Sequence, residues 1–543
     1  MSIGTDMQAS TLFYSRSKIK ILLSFFLVYG VFLQWSGWLE HANFDFAKAL
    51  VEERRLTIDS YADNNVDRLL INGHYYSNKP IGAALMIAPG YALWKLIYNH
   101  VFPESFQKRD LASTVKVPIP KYSLAVHEQL SLFERLGRIL ATLLSSTLSV
   151  LLTVWLVYRF AGLFGAGEAD SWLVAAAFGF GTIAFDAATA LYHDTMGMLF
   201  SFLSFYLLFQ AKEKSRFSLV LIAGIMCGWS ISVGRWGVLA VPAFLAYLMM
   251  TGLARKIPLF LAGCLLGIVP QLLHNCALVG HPLFPPAYIF QDPQIWSFWK
   301  RTWEFELELK NLVYIIPQIV FFPTRGLFFF SPILILSLVG IVRMLKERRA
   351  EAVTILALLG IYVLGNALHR SWWGGGGFGL RYIMSLIPFL TLPLVYVVKR
   401  NRLLFFIVLL YSVAVNLSST AETYYAQLPI QDRESGYAEY LRRAKTGVIS
   451  NPVWRYYLPN LMKEGPRSAI VESFARENDA FSLRPNHFSV FGRSSNDAIF
   501  LFVLDGAGFV GIKTRYLPVF LLALLFSIVW FKELSLFLKR KLA

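Results

Sequence analysis

YYSNKPIGAALMIAPGYALWKLI, residues 75–97, joins a polar stretch to an apolar run with nothing between them. Whether that run crosses a membrane sets the direction of the spans after it. The rest of the chain makes a membrane hard to avoid. Of 543 residues, 56% are hydrophobic and 16% charged, against about 25% charged in ordinary soluble domains. Other apolar runs of about the length a spanning helix needs lie at 21–38, 138–158, 171–190, 194–210, 217–233, 236–253, 257–275, 326–342, 352–368, 380–398, 403–420 and 515–531.

Lysine and arginine in short loops stay cytoplasmic. The basic clusters are Arg16/Lys18/Lys20, Lys212/Lys214/Arg216, Arg255/Lys256, Arg343/Lys346/Arg348/Arg349, Lys399/Arg400/Arg402 and Lys539/Arg540/Lys541. With all of them inside, 21–38 runs outward and 138–158 runs inward, so 80–98 cannot cross alone. Its Pro80, Gly82, Pro89, Gly90 and Lys95 suit an interfacial helix. Lys79 then stands on the outer face, within a long loop 39–137. The run 21–38 is long for a signal segment and no A-x-A-like site follows, so it reads as an uncleaved first span. The outer side also holds the turn at His193–Asp194, the loops 276–325 and 369–379, and the segment 421–513. In that segment, apolar residues flank Asp-Gly in AIFLFVLDGAGFVGI (498–512), which reads as a hairpin.

The net charge of +17 reads as topology and contact with anionic lipid. Nucleic-acid binding, which wants basic stripes and stacking aromatics on one polar surface, is set aside. Cys227, Cys264 and Cys276 form no CxxC, so neither a disulfide framework nor a zinc site is legible.

Function in such a chain belongs where polar groups gather at one membrane face. Asp45, in HANFDFAKALVEERRL, follows the first span on a helix with Phe44, Ala47 and Val51 along one side. It fits either that helix's solvated face or the mouth of the bundle, where an acid serves as general base or metal ligand. Asp59, Asp63 and Asp67 read as a solvated loop, since no Gly or closing Glu sits at calcium-loop offsets. His193 and Asp194 open a span, as a helix cap or as a functional pair. HRSWWGGGGFGLRY (369–382) matches the dinucleotide pattern by letter, but a span precedes it where a strand is required. Its glycines read as close backbone approach. Trp372 and Trp373 read as an interfacial aromatic belt, and Arg381 as an anchor or a phosphate clamp. His281 and Arg325 add polar groups on the same side.

An acid just after the first span, then GHYYSNKP, Tyr192-His193-Asp194, GLFFFSP (326–332) and WWGGGGFGLRY (372–382) together resemble the bacterial GT-C glycosyltransferases. The resemblance is to the protein O-mannosyltransferase and aminoarabinose-transferase branch. The comparable family stretch is Y-F-x-K-P-P-L; here Ile81 replaces the second proline, and Phe46 follows Asp45 where Glu is common.

The resemblance implies an all-α polytopic membrane protein, a GT-C-like bundle of about 12 transmembrane helices. Residues 1–420 would form the catalytic module, with 39–137 as a first periplasmic loop bearing interfacial helices. The resemblance covers roughly residues 20–400; by the charge pattern and the apolar runs, residues 421–513 would form a small periplasmic segment with some strand, and 514–543 a last helix and basic tail. It implies a bacterial inner-membrane enzyme with both termini cytoplasmic and its site facing the periplasm. It would move a sugar, with inversion, from a polyprenyl-phosphate donor to a lipid, glycan or protein acceptor. Asp45 would act as base, with Asp194 and His193 beside it. Lys79, Tyr76, His74, Arg381, Tyr382 and Trp373 would bind substrate. A divalent metal held by Asp45 and Asp194 stays open as an addition. Two alternatives are a transporter or flippase of lipid-linked sugars, and a glycan polymerase or ligase using diphosphate-linked donors. Transport is disfavoured because the spans carry few ionisable residues near their middles.

The charge pattern makes a direct forecast. In intact cells, a cysteine placed in the 39–137 loop reacts with a membrane-impermeant thiol reagent. One placed among Lys212–Arg216 reacts only after the membrane is opened.

Overall fold

The computed structural model describes residues 18–34, 38–64, 67–112, 115–119, 122–129, 131–214, 216–283, 309–323, 325–369, 372, 374, 378–421, 453–464, 466, 468, 482–484 and 487–489. Trp373, the expected hairpin at 498–512 and the expected span at 515–531 lie outside the described residues.

The fold is mostly helical. Helix α1 covers 18–31 and α2 covers Trp38–Glu52. A hairpin follows, β1 (Arg68–Ile71) and β2 (His74–Ser77). Then come α3 (Ile81–Val101), α4 (Glu104–Ala112) and a second hairpin, β3 (Val115–Ile119) with β4 (Tyr122–Gln129). The helices α5 (Leu132–Thr142) and α6 (Leu148–Leu163) join through a π turn. Next are α7 (Glu168–Gly181), α8 (Ala184–Ala188), α9 (His193–Lys214), α10 (Ser218–Val233), α11 (Ala240–Met250) and α12 (Ile257–Val279). Later helices include 309–320, 335–347, 349–367 and 402–417.

Local chemistry explains several of these limits. Asn72 and Gly73 both have positive φ, 51° and 81°, the two-residue turn that Asn-Gly favours between antiparallel strands. Its register pairs Arg68 with Ser77 and Leu69 with Tyr76. The first turn of α5 is capped twice. Ser131 accepts from Glu134 N, and the Asp110 carboxylate accepts from Leu132 N at 2.8 Å and Phe133 N at 2.9 Å. Helix α12 stops at Gly280, whose φ of 72° lets its N–H reach Cys276 O.

Among the described residues, five helices are long and apolar enough to cross a membrane, or six if the bent pair 381–391 and 394–400 is one span. Several runs expected as unbroken spans are interrupted instead. The run 171–190 breaks after Gly181, 326–342 breaks at Ser331–Pro332, and 380–398 contains Pro388 and Pro393 and bends by 48°. On the charge-derived topology these breaks fall toward the outer ends. Side chains take up the freed backbone groups. Ser331 Oγ accepts from Ile183 N at 3.1 Å, Arg325 Nη1 donates to Gly379 O at 3.2 Å, and Asn416 Nδ2 donates to Phe330 O at 3.0 Å. Irregular backbone survives at membrane depth only with such partners. The run 80–98, expected as interfacial, is one continuous helix, α3, with the length and apolarity of a span. It packs on α2, α5 and the outer end of α10.

The tightest helix pair is α10 with α12. Gly224 and Gly228 face Gly263 and Gly267, two small-xxx-small stripes that let backbones touch. A Cβ on Gly228 would stand 2.0 Å from Cys264 O. Gly228→Leu therefore forces the helices apart at a cost of about 1–3 kcal/mol, read as a lower melting temperature in detergent. Gly360→Leu, where a Cβ meets only open space, leaves the melting temperature unchanged.

Candidate active site

Three cations converge from three separate elements. Lys79 follows β2, Arg235 follows the extended break at Gly234 that ends α10, and Arg381 opens the turn after the glycine-rich loop. The hairpin supplies the first. Beyond the Arg68–Ser77 pair, Asn78 N donates to Asp67 O at 3.1 Å, which continues the ladder. Lys79 Nζ then lies 2.7 Å from Asp67 Oδ2, with both side chains about nine-tenths buried. Asn78 Nδ2 also reaches Asp67 Oδ1 at 3.3 Å. Ser77 Oγ donates to Ala42 O, tying the hairpin to α2. Arg235 Nη2 donates to Asn78 O at 2.7 Å. At Gly82, a Cβ would stand 2.4 Å from Ser232 O, so the missing side chain lets the start of α3 rest on the end of α10. Lys79 and Arg235 are neighbours for that reason.

Arg381 is set by its loop. Gly374 and Gly379 take φ of 73° and 67°, where L side chains are strained. Gly374 O accepts from Arg381 Nε. Arg381 Nη1 stands 3.7 Å from Asp194 Oδ2, a buried oxygen with no hydrogen-bond partner among the described residues. His193 Nε2 stands 3.9 Å from Asp194 Oδ1, and its Nδ1 is 3.1 Å from Asn43 Nδ2 of α2. With the Asn43 amide donating, Nδ1 accepts and Nε2 carries the proton toward the carboxylate. Trp236, His369 and Tyr382 form an aromatic wall, with centroids 4.9–5.7 Å apart. Burial pushes the Lys79 pKa down and Asp67 pulls it up. Arg381 and Arg235 push it down again, and the net direction is below the ordinary lysine value.

The structure thus brings together Lys79, His193, Asp194, Arg381 and Tyr382 of the residues expected from sequence. Asp45 is 1% exposed, in a stretch, 42–47, that is buried all round. The solvated-face reading of this acid does not hold. Asp45 lies two residues past Asn43, about 200° around the helix, and its charge acts on Lys48. His74 sits at the hairpin turn, exposed and 2.9 Å from Asp59, about 15 Å along the strand from Lys79. Tyr76 packs against Leu69, Ile71 and Leu278. Trp372 is fully buried rather than in an interfacial belt, and its carbonyl accepts from Asn366. His281 is exposed and closes a local turn. Arg325 is buried and braces the loop at Gly379.

Two members went unnoticed in the sequence. Asp67, read as solvated, is buried against Lys79. Arg235 had a signal. It lies between the runs 217–233 and 236–253, in a short turn that the charge-derived topology puts outside, where the charge rule disfavours a cation. For a metal, no group of three or more His, Cys, Asp or Glu side chains converges among the described residues. Arg381 already stands against the open oxygen of Asp194, so the residues present do not fit a metal centre.

Residues 120–274 match the family model described as dolichyl-phosphate-mannose-protein mannosyltransferase. Among solved structures, the chain is similar to ArnT from Cupriavidus metallidurans in the apo state, at 14% identity, covering 84% of this chain and 74% of that one, with a TM-score of 0.45. The same protein bound to undecaprenyl phosphate matches at 14% identity over 83% of this chain and 74% of that one, also at 0.45. No curated protein matches the sequence. The family match falls on the segment holding Tyr192-His193-Asp194 and Arg235, and it agrees with the resemblance read from the loop motifs.

Proposed function

We propose that this protein transfers a sugar from a polyprenyl-phosphate donor to a hydroxyl or phosphate of a lipid, glycan or protein acceptor, with inversion, on the periplasmic side of a bacterial inner membrane. The observation that carries the reading is the convergence of Lys79, Arg235 and Arg381. The leaving group of such a transfer is a lipid phosphate, whose charge grows as the glycosidic bond breaks. Fixed cations aimed at that charge lower the barrier. The description of the matching family, a phosphoprenyl-sugar transferase, supports the same donor class. A span count near twelve and the placement of both termini in the cytoplasm belong to this proposal, on the strength of the charge pattern.

Each group then has a role. Lys79 and Arg235 take the phosphate, and Arg381 bridges it to Asp194. The bare Oδ2 of Asp194 and the bare Oδ1 of Asn78 are buried acceptors suited to sugar or acceptor hydroxyls, since an unmatched buried acceptor costs about 1–3 kcal/mol. Trp236 and Tyr382 offer faces for the sugar ring. Asp45 keeps the role of base on the resemblance alone, since Asn43, about 200° around α2 from it, is the residue that meets His193. A carboxylate is a weak base toward a hydroxyl and removes the acceptor proton as the new bond forms, so attack and proton transfer are concerted.

The test is a panel of polyprenyl-phosphate sugars, reading release of polyprenyl phosphate from the purified protein. Lys79→Ala and Arg235→Ala are expected to lower kcat/KM for the donor by about a hundredfold each, in line with two charge-assisted phosphate contacts of a few kcal/mol. Asp45→Asn is expected to lower kcat by at least about a hundredfold with donor KM little changed. Wild-type turnover by Asp45→Asn and Lys79→Ala alike would remove this site assignment. Turnover confined to diphosphate-linked oligosaccharides would replace the reading with a polymerase or ligase.

A further inference from the structure

We infer that Asp67 is a positioning residue for Lys79: it holds the ammonium protonated and aimed, so that a complete cation cluster awaits an anionic ligand. The phosphate role of Lys79 comes from the function proposed above; the Asp67–Lys79 relation itself stands on geometry.

The charged and titratable groups around Lys79 are Asp67, Arg381 and Arg235, with His193 and Asp194 beside them. Without Asp67, three cations would face one another in a largely buried space. Two are arginines, which do not lose a proton in proteins. Lysine does so readily when buried, so Lys79 is the member that would become neutral. Asp67 counters this at 2.7 Å.

The carboxylate is itself fixed. Its second oxygen takes Asn78 Nδ2, its backbone carbonyl takes Asn78 N, and the Asn72-Gly73 turn sets the register that places both beside Lys79. A swinging surface pair would lack all three constraints.

Two measurements on the full-length protein in detergent test this. The first is competitive acetylation by acetic anhydride near pH 8, read by peptide mass spectrometry, with the exposed Lys108 as internal reference. Losing an opposite charge at contact distance lowers a lysine pKa by about one unit or more. In Asp67→Asn, Lys79 should therefore react about tenfold faster relative to Lys108, and Asp67→Glu should restore the wild-type rate. An unchanged or slower rate in Asp67→Asn overturns the inference. So does a variant Lys79 that reacts like Lys108 at every pH, because that signals local unfolding.

The second is the pH profile of sugar transfer. Activity needs Lys79 charged, so its alkaline limb should move to lower pH by about one unit in Asp67→Asn. It should not move when Asp67→Asn is combined with Lys79→Arg, which cannot titrate. A loss of equal size at every pH means a merely structural role. The two ideas fail separately. A labelling shift in a protein that transfers no sugar upholds Asp67 and sinks the transferase reading; transfer with unshifted labelling does the reverse.

Discussion

An ion inside an apolar helix bundle is costly unless another group compensates its charge, and everything at this site follows from that cost. Lys79 is tolerated because Asp67 lies against it, and Asp194 because Arg381 stands within 3.7 Å. On the charge-derived topology, the buried ionic groups of the site all lie toward the outer ends of their helices. That is where the backbone is also irregular: Gly181–Ile183, Gly234 and Ser331–Pro332 interrupt apolar runs there. Broken backbone and buried charge share one remedy, a local supply of hydrogen-bonding partners.

Two close approaches hold this arrangement in place. The glycine stripes of α10 and α12 bring the backbones into contact, and Gly82 seats α3 on the last residues of α10. The hairpin then lies over the same helix ends, so residues far apart in sequence share a few ångströms. Small side chains here act at a distance from the chemistry. Without them the cations at 79 and 235 would separate, although neither contacts a glycine of the α10–α12 stripes.

Legibility varied by residue and for identifiable reasons. Lys79 and Arg381 stood out because each belongs to a run of unusual letters on the outer side. His193 and Asp194 stood out because polar residues rarely interrupt apolar spans. Asp67 did not, because an acid among Asp59, Asp63 and Asn64 looks like any solvated loop; only the ladder beyond Ser77 turns it inward. His74 and Tyr76 were grouped with Lys79 by proximity in sequence, yet strand geometry sends His74 about 15 Å away and Tyr76 onto an apolar cluster. The Asn-Gly turn that accounts for all of this was visible at 72–73.

The sequence by itself made the membrane setting legible, and its charge pattern is the ground on which the span direction and the outer face of the site are proposed. Those depend on composition and on where lysine and arginine fall, which are sums over many residues and survive local error. Tertiary structure alone decided which outer residues meet. Burying Asp45 on every side, pairing Asp67 with Lys79 and bringing Arg235 to the hairpin are outcomes of packing between segments distant in sequence or of strand register. Such contacts depend on shape, and the order of letters along one segment carries no record of the surface it will meet.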